Sequence, residues 1–293
     1  MMMGEAKRRK NGNEAKFRRL DQQLTGAGVN TDQFGFCDGE AFLAAEQRDP
    51  SLLETYAQWV MLRSRDREYD AHVRETVPKL AQLVATVLEE DTLEGSCEMA
   101  CSLLTKSLDR LGVWSVGLVG SSTFEVKDQD IWRGLHTVDR ADFPGARLGH
   151  TWVCAPPFVV VDASIKRQRW AGDDIYPYVP SIILDDWGRM TKPTPKDVIS
   201  AEIRAEMMVA RGAIPNGVIY QLEPNLKKFS ETFPATEIVI DRLTARYIPT
   251  AANLSDGTLE EINSAGEIGR VGREIWSDVI APAFNADTIW PPR

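Results

Sequence analysis

Gly149-His150-Thr151-Trp152-Val153-Cys154-Ala155-Pro156-Pro157-Phe158-Val159-Val160-Val161-Asp162-Ala163-Ser164 sets two short apolar runs on either side of a proline pair. Valine, phenylalanine and tryptophan suit a pleated, half-buried surface, and prolines interrupt a ladder, so 150–154 and 158–163 are expected to be strands. With Ala155-Pro156-Pro157 as the hairpin loop, Cys154 pairs with Phe158, Trp152 with Val160 and His150 with Asp162. Directly opposed residues share a face, with Cβ atoms about 4.5–5.5 Å apart. A carboxylate beside an imidazole fixes its tautomer and steadies the imidazolium. A slip of one residue would send Asp162 to the other face. Taken alone, an opposed His and Asp is more often a surface pair than a catalytic one.

Upstream, Gly95-Ser96 opens a helix expected over 97–111, with Ala100, Leu103, Leu104, Leu108 and Leu111 on the helical period. Gly112 closes it as a left-handed cap. Cys97 falls in the first turn, where unpaired N–H groups and the helix dipole favour a thiolate. Glu98 opposes that effect, and buried cysteines usually behave as small hydrophobes. After Gly112 the period changes, and Trp114, Val116 and Leu118 alternate as on a strand.

These blocks together resemble the transglutaminase-like (papain-like) superfamily. The resemblance lies in Gly95-Ser96-Cys97, a small residue at Cys101, the Leu111-Gly112-Val113 step, His150-Thr151-Trp152-Val153, and the aliphatic run ending in Asp162. It spans residues 97–164 and implies Cys97 as nucleophile, His150 as base and Asp162 as orienter. It also implies a core helix packed on an antiparallel sheet, and acyl transfer or amide hydrolysis on a protein or peptide through a thioester, with no cofactor and no metal. The chain departs from the family where Trp114-Ser115-Val116 follows the Gly-Val step and where Ala163 follows Asp162. No upstream oxyanion-hole side chain is apparent; N–H groups at the start of the Cys97 helix are the candidates. Trp114 and Trp152 are the substrate-groove candidates.

Around this segment the expected class is α+β. Residues 1–13 form a basic flexible arm, 14–94 a helical portion, 95–194 the catalytic core and 195–293 a mixed α/β portion that can belong to the same domain. Helices are expected over 14–24, 39–47, 50–90, 195–211 and 257–281, a long strand over 236–248, and an irregular connection over 121–149. Residues 1–20 carry seven basic side chains against two acidic ones, while the other 273 carry 27 against 41. A basic arm on an acidic body can take an acidic partner, but the body argues against nucleic acid as the main ligand. No apolar run reaches the ~18 residues of a membrane span. Four cysteines in 293 residues make no disulfide framework, so the expected compartment is the cytoplasm.

Two other readings compete. Cys97, Cys101, His150 and Cys154 could be taken as zinc ligands, but on an extended strand His150 and Cys154 stand about 13 Å apart, too far for one tetrahedral ion. His136 is a weaker choice of base in the long connection. The rival from another class is a catalytically silent domain that binds protein, because fold does not dictate function.

Overall fold

The computed structural model describes residues 2–140, 148–170, 173–186, 188–255, 257–263 and 269–287, with side chains of the first helix from Gly12 onward. It is α+β, with helices packed on an antiparallel sheet. The order along the sheet is β5 (Ile183–Asp185), β4 (Phe158–Asp162), β3 (His150–Ala155), β1 (Val116–Val126), β8 (Leu243–Asn253), β7 (Thr236–Ile240) and β6 (Arg189–Met190). β2 (Ile131–Leu135) pairs with β1 off this path.

β1 organises the rest. Its first half pairs with β3, from Val116↔Cys154 to Gly120↔His150, and its second half with β2, from Ser122↔Leu135 to Val126↔Ile131. One edge of β1 thus serves two strands, and His150 lies where they part. The other edge is covered by β8 along its length. A Cβ on Gly120 would come within 2.0 Å of the Ile248 carbonyl oxygen, and one on Gly117 within 2.7 Å of Cys101 Sγ. Glycine here lets β8 and the helix above approach the strand closely. The polar run Ser121-Ser122-Thr123, expected to lie in an irregular connection, is buried strand: Ser122 and Thr123 are paired on both edges and Ser121 with Ile248 of β8.

One sheet face, with Val116, Leu118, Phe124, Trp152, Cys154, Val160 and Tyr247, packs under α1 (Met2–Gly26), α2 (Glu40–Arg48) and α3 (Ser51–Leu62). The other, with Val153, Ala155 and Val161, packs under α4 (Arg67–Glu90) and α5 (Cys97–Arg110). Asp66 caps α4 by accepting from the Tyr69 N–H at 2.8 Å, so the helix expected over 50–90 is two, parted by polar residues 63–66. α5 is buried nearly all round: its apolar row faces the sheet, and Lys106 and Asp109 are enclosed on its other side. Gly112 ends it with φ 73°, while Val113 N–H reaches the Leu108 carbonyl at 2.9 Å, as the cap reading requires.

The C-terminal portion adds β7 and β8 to this sheet and a third small core from α6 (Pro195–Val198), α7 (Ala201–Arg211), α8 (Ile219–Leu222) and α9 (Asn225–Phe229). The helix expected over 195–211 breaks at Ile199-Ser200, where Ser200 N–H bonds the Val138 carbonyl instead. The strand expected over 236–248 is a hairpin, turned at Asp241 with φ 50°. The helix expected over 257–281 gives way to short pieces: a turn at Leu259–Glu261, α10 (Gly272–Ile275), a π turn at Trp276–Ile280 and α11 (Ala281–Phe284). The helix expected over 14–24 lies inside α1, where Leu20 and Leu24 are buried and Phe17 packs on Trp59. Among the described residues no helix is long and apolar enough to cross a membrane.

Candidate active site

The β3–β4 hairpin supplies two of the three expected residues, in a register that differs from the expected one. Ala155 pairs with Phe158, a bulge follows, and Val153 then pairs with Val161. The loop is Pro156-Pro157 alone, which shifts the pairing by one residue, and the bulge adds a second, two in all relative to Trp152 with Val160. A shift of two preserves every side chain's face, whereas a shift of one would reverse it. His150 and Asp162 are therefore diagonal rather than directly opposed, and long side chains bridge that separation.

They meet. His150 Nε2–H donates to Asp162 Oδ2 at 2.7 Å, and both residues are about 1% exposed. Tyr247 O–H donates to the same oxygen at 2.8 Å, and Ser164 donates to Oδ1 through its N–H at 2.9 Å and its hydroxyl at 3.0 Å. Each carboxylate oxygen thus accepts two hydrogen bonds. Burial raises the Asp162 pKa, but the His150 charge and these donors outweigh it and hold the carboxyl below its usual range.

α5 brings the thiol. Cys101 Sγ rests on the Trp152 carbonyl at 3.6 Å, and Cys97, one turn earlier and half-buried, is close enough for His150 and Thr151 to act on its thiol electrostatically. The approach to α5 is tied to the segment after Asp162. Gly95 N–H donates to the Arg167 carbonyl at 2.8 Å, and Arg167 Nε donates to the Leu93 carbonyl at 3.0 Å. Each bond is worth about 0.5–1.5 kcal/mol, and together they clamp both ends of the site. α5 covers the face of Val153 and Ala155, so its N-terminus meets His150 at the first residue of β3, not across the strand's middle.

His150 Nδ1 has no hydrogen-bond partner, and after Asp162 the Cys97 thiol is the group that acts on the imidazole. Burial pushes the His150 pKa down, but Asp162 and the sulfur raise it to about 10. Burial also pushes Cys97 up, yet His150 and the hydroxyl and N–H of Thr151 draw it below the ordinary thiol value. The other thiols move the opposite way. Burial raises Cys37 and Cys101 well above that value and Cys154 to about 12. The arrangement favours a thiolate–imidazolium pair at one cysteine only.

Other expected residues lie apart. Trp114 is 4% exposed, 4.3 Å from the Phe34 ring and 4.9 Å from Trp59, so it has no open surface for a groove. Trp152 is buried too, its ring 5.0 Å from Tyr247, and the two help to line an apolar hollow with Leu118, Val160 and Phe233. His136 is buried 5.4 Å from Trp132, and burial lowers its pKa. Cys101 and Cys154 belong to cores on opposite faces of the sheet, so the four donors of the zinc reading do not converge. The sequence did not point to Ser164 or Tyr247. An Asp followed two residues later by Ser is an Asx-turn signal that could have found the first, but nothing local marks the second. Searches among family models, curated proteins and solved structures find no match to this chain.

Proposed function

We propose that this chain is a cysteine-dependent acyl-transfer or amide-hydrolysing enzyme with a transglutaminase-like (papain-like) core, acting on a protein or peptide. The reading rests on one observation: the Asp162 carboxylate bonds Nε2 of a buried His150, Nδ1 has no hydrogen-bond partner, and His150 draws down the pKa of the Cys97 thiol in spite of burial. A cysteine at a helix N-terminus packed on the strand that bears the histidine supports the core assignment.

In this mechanism the Cys97 thiolate attacks the acyl carbonyl, forming a C–S bond and moving the π pair onto oxygen. The tetrahedral intermediate collapses and expels the amine, which takes its proton from the His150 imidazolium. The thioester remains, with His150 neutral. Water or an amine then attacks while His150 takes its proton, and collapse returns the sulfur to thiolate beside imidazolium. Water gives hydrolysis and an amine gives transfer. Asp162 keeps Nδ1 turned to the sulfur and stabilises the imidazolium in each half-reaction. The four unpaired thiols suit a reducing compartment, and we place the enzyme in the cytoplasm.

The test is intact-mass analysis after incubation with acyl donors, with and without candidate amines. An acyl adduct on Cys97 that is absent from Cys97→Ala and discharged by water or amine is the expected result. With no adduct from any donor class, the silent protein-binding domain becomes the better account.

A further inference from the structure

We propose that Thr151 is a catalytic residue of this site, presenting its peptide N–H and its hydroxyl to the Cys97 sulfur and then to the oxyanion that forms beside it. The proposal rests on the thiol reading above and supplies the oxyanion donor that the sequence upstream of Cys97 lacks.

The backbone half of the argument comes from the sheet. Along an antiparallel strand the peptide groups of alternate residues turn to the same side. Thr151 stands opposite Val119 of β1, but the Val119 carbonyl accepts from Thr250 of β8 on the far edge, so the Thr151 peptide group, like those of Val153 and Ala155, is assigned to the β4 side. Its opposite number in that register would be Ala163, but β4 ends at Asp162. The ladder therefore leaves the Thr151 N–H without a strand partner. The start of α5 fills that place, since Cys101 sits on the Trp152 carbonyl and Cys97 lies one turn nearer the open end.

The hydroxyl half comes from burial. Thr151 is 5% exposed, and its Oγ1 has no well-aligned hydrogen-bond partner. A buried hydroxyl left in that state costs about 1–3 kcal/mol, so the position calls for an acceptor. Thr151 shares the face of Val153 and Ala155, which α5 covers, so the acceptor we assign to it is the Cys97 sulfur at the start of that helix, whose pKa Thr151 draws down. His150 approaches the same sulfur, and Glu98 is the nearby group of opposite effect, beside Cys97 on α5.

The chemistry follows the charge. At rest the negative charge sits on sulfur. When the C–S bond forms, that charge passes to the carbonyl oxygen, and the hydroxyl can rotate to follow it while the peptide N–H stays fixed. Donors that meet the charge where it develops need no reorganisation at the moment of reaction.

The experiment compares wild type with Thr151→Val, which keeps shape and removes the hydroxyl, and with Thr151→Ser, which restores it. Two readouts are taken: the pH dependence of Cys97 alkylation by iodoacetamide, and the rate of Cys97 acylation by an activated ester. For Thr151→Val, alkylation at pH ~6 should slow by about tenfold or more, the worth of one hydrogen bond to an ion. Its profile should move to higher pH, and acylation should fall by roughly 10²–10³-fold. Thr151→Ser should recover most of both. Should Thr151→Val not fold, Thr151→Ala takes its place. A hydroxyl-free variant with the wild-type alkylation profile overturns the proposal. If wild type itself forms no thioester, the acyl-transfer reading fails, while the alkylation profiles still decide whether Thr151 donates to the sulfur.

Discussion

Two buried clusters in this molecule use the same ingredients, a thiol, a carboxylate and a cation, and reach opposite states. In one, His150 bonds Asp162 through Nε2 and draws the Cys97 thiol down. In the other, Cys37 Sγ lies 4.0 Å from Asp38 Oδ1 and 4.0 Å from Asp109 Oδ2, while Lys106 is bound to Asp38 and the Ser255 carbonyl. There the sulfur faces the acids directly and the cation is engaged beyond them. Burial and the two acids raise the Cys37 pKa, and burial and Asp38 raise that of Asp109. The order of charges, rather than their number, separates a thiol whose pKa is drawn down from one whose pKa is pushed up.

The largest break in this contrast comes from Cys97→Ala, which should abolish acylation and low-pH alkylation. Cys37→Ala should leave both unchanged. Intact-mass analysis of the two variants reads the difference.

Asp162→Asn should rank next. It keeps the fold but loses tautomer and imidazolium control, and acyl transfer should drop by about 10²–10⁴-fold. Its stability cost has a definite pH course. The folded pKa of Asp162 is lowered, so its contribution is present above the unfolded value of ~3.9 and lost as pH falls through the folded one. The folded pKa of His150 is raised to about 10, so its contribution is complete below ~6.5 and lost as pH rises through about 10. The difference in melting temperature between wild type and Asp162→Asn should thus be greatest near pH 5–6 and shrink on both sides.

Asp109→Asn should have the reverse sign. The folded pKa of Asp109 is raised, so the carboxyl favours folding only while protonated and weighs against it as pH climbs above ~3.9. At pH 7 the amide should equal or exceed wild type in melting temperature. A loss as large as that of Asp162→Asn would mean that the two clusters are alike. The smallest effect belongs to the N-terminus. The packing contacts described for α1 involve Lys16, Phe17, Leu20 and Leu24, so removal of residues 1–13 should leave the melting temperature within error.

The sequence made the first cluster legible and hid the second, for a physical reason. Cys97, His150 and Asp162 sit at the ends of local elements that announce themselves: a helix start after Gly95-Ser96, and a hairpin around a proline pair. Parity carried the His–Asp pair through a two-residue register shift, because the side-chain period of a strand is two. Asp109 and Cys37 meet across 72 residues on the far side of α5, where the helical period alone promises solvent. Tyr247 reaches Asp162 across 85 residues because β8 lies next to β1. The buried half of β1 escaped notice likewise, its serines and glycines being polar or small by type yet interior by pairing.

The central claim is that Cys97 is already a thiolate paired with imidazolium in the resting protein. It is tested most directly by the pH–rate profile of iodoacetamide alkylation, resolved by peptide mass for each of the four cysteines. The account predicts that Cys97 reacts near its limiting rate at pH ~6, well below the unperturbed thiol value of about 8.5, while Cys37, Cys101 and Cys154 stay unmodified. A Cys97 rate that climbs through pH 8–9 like an ordinary thiol, or equal rates at all four cysteines, would contradict it.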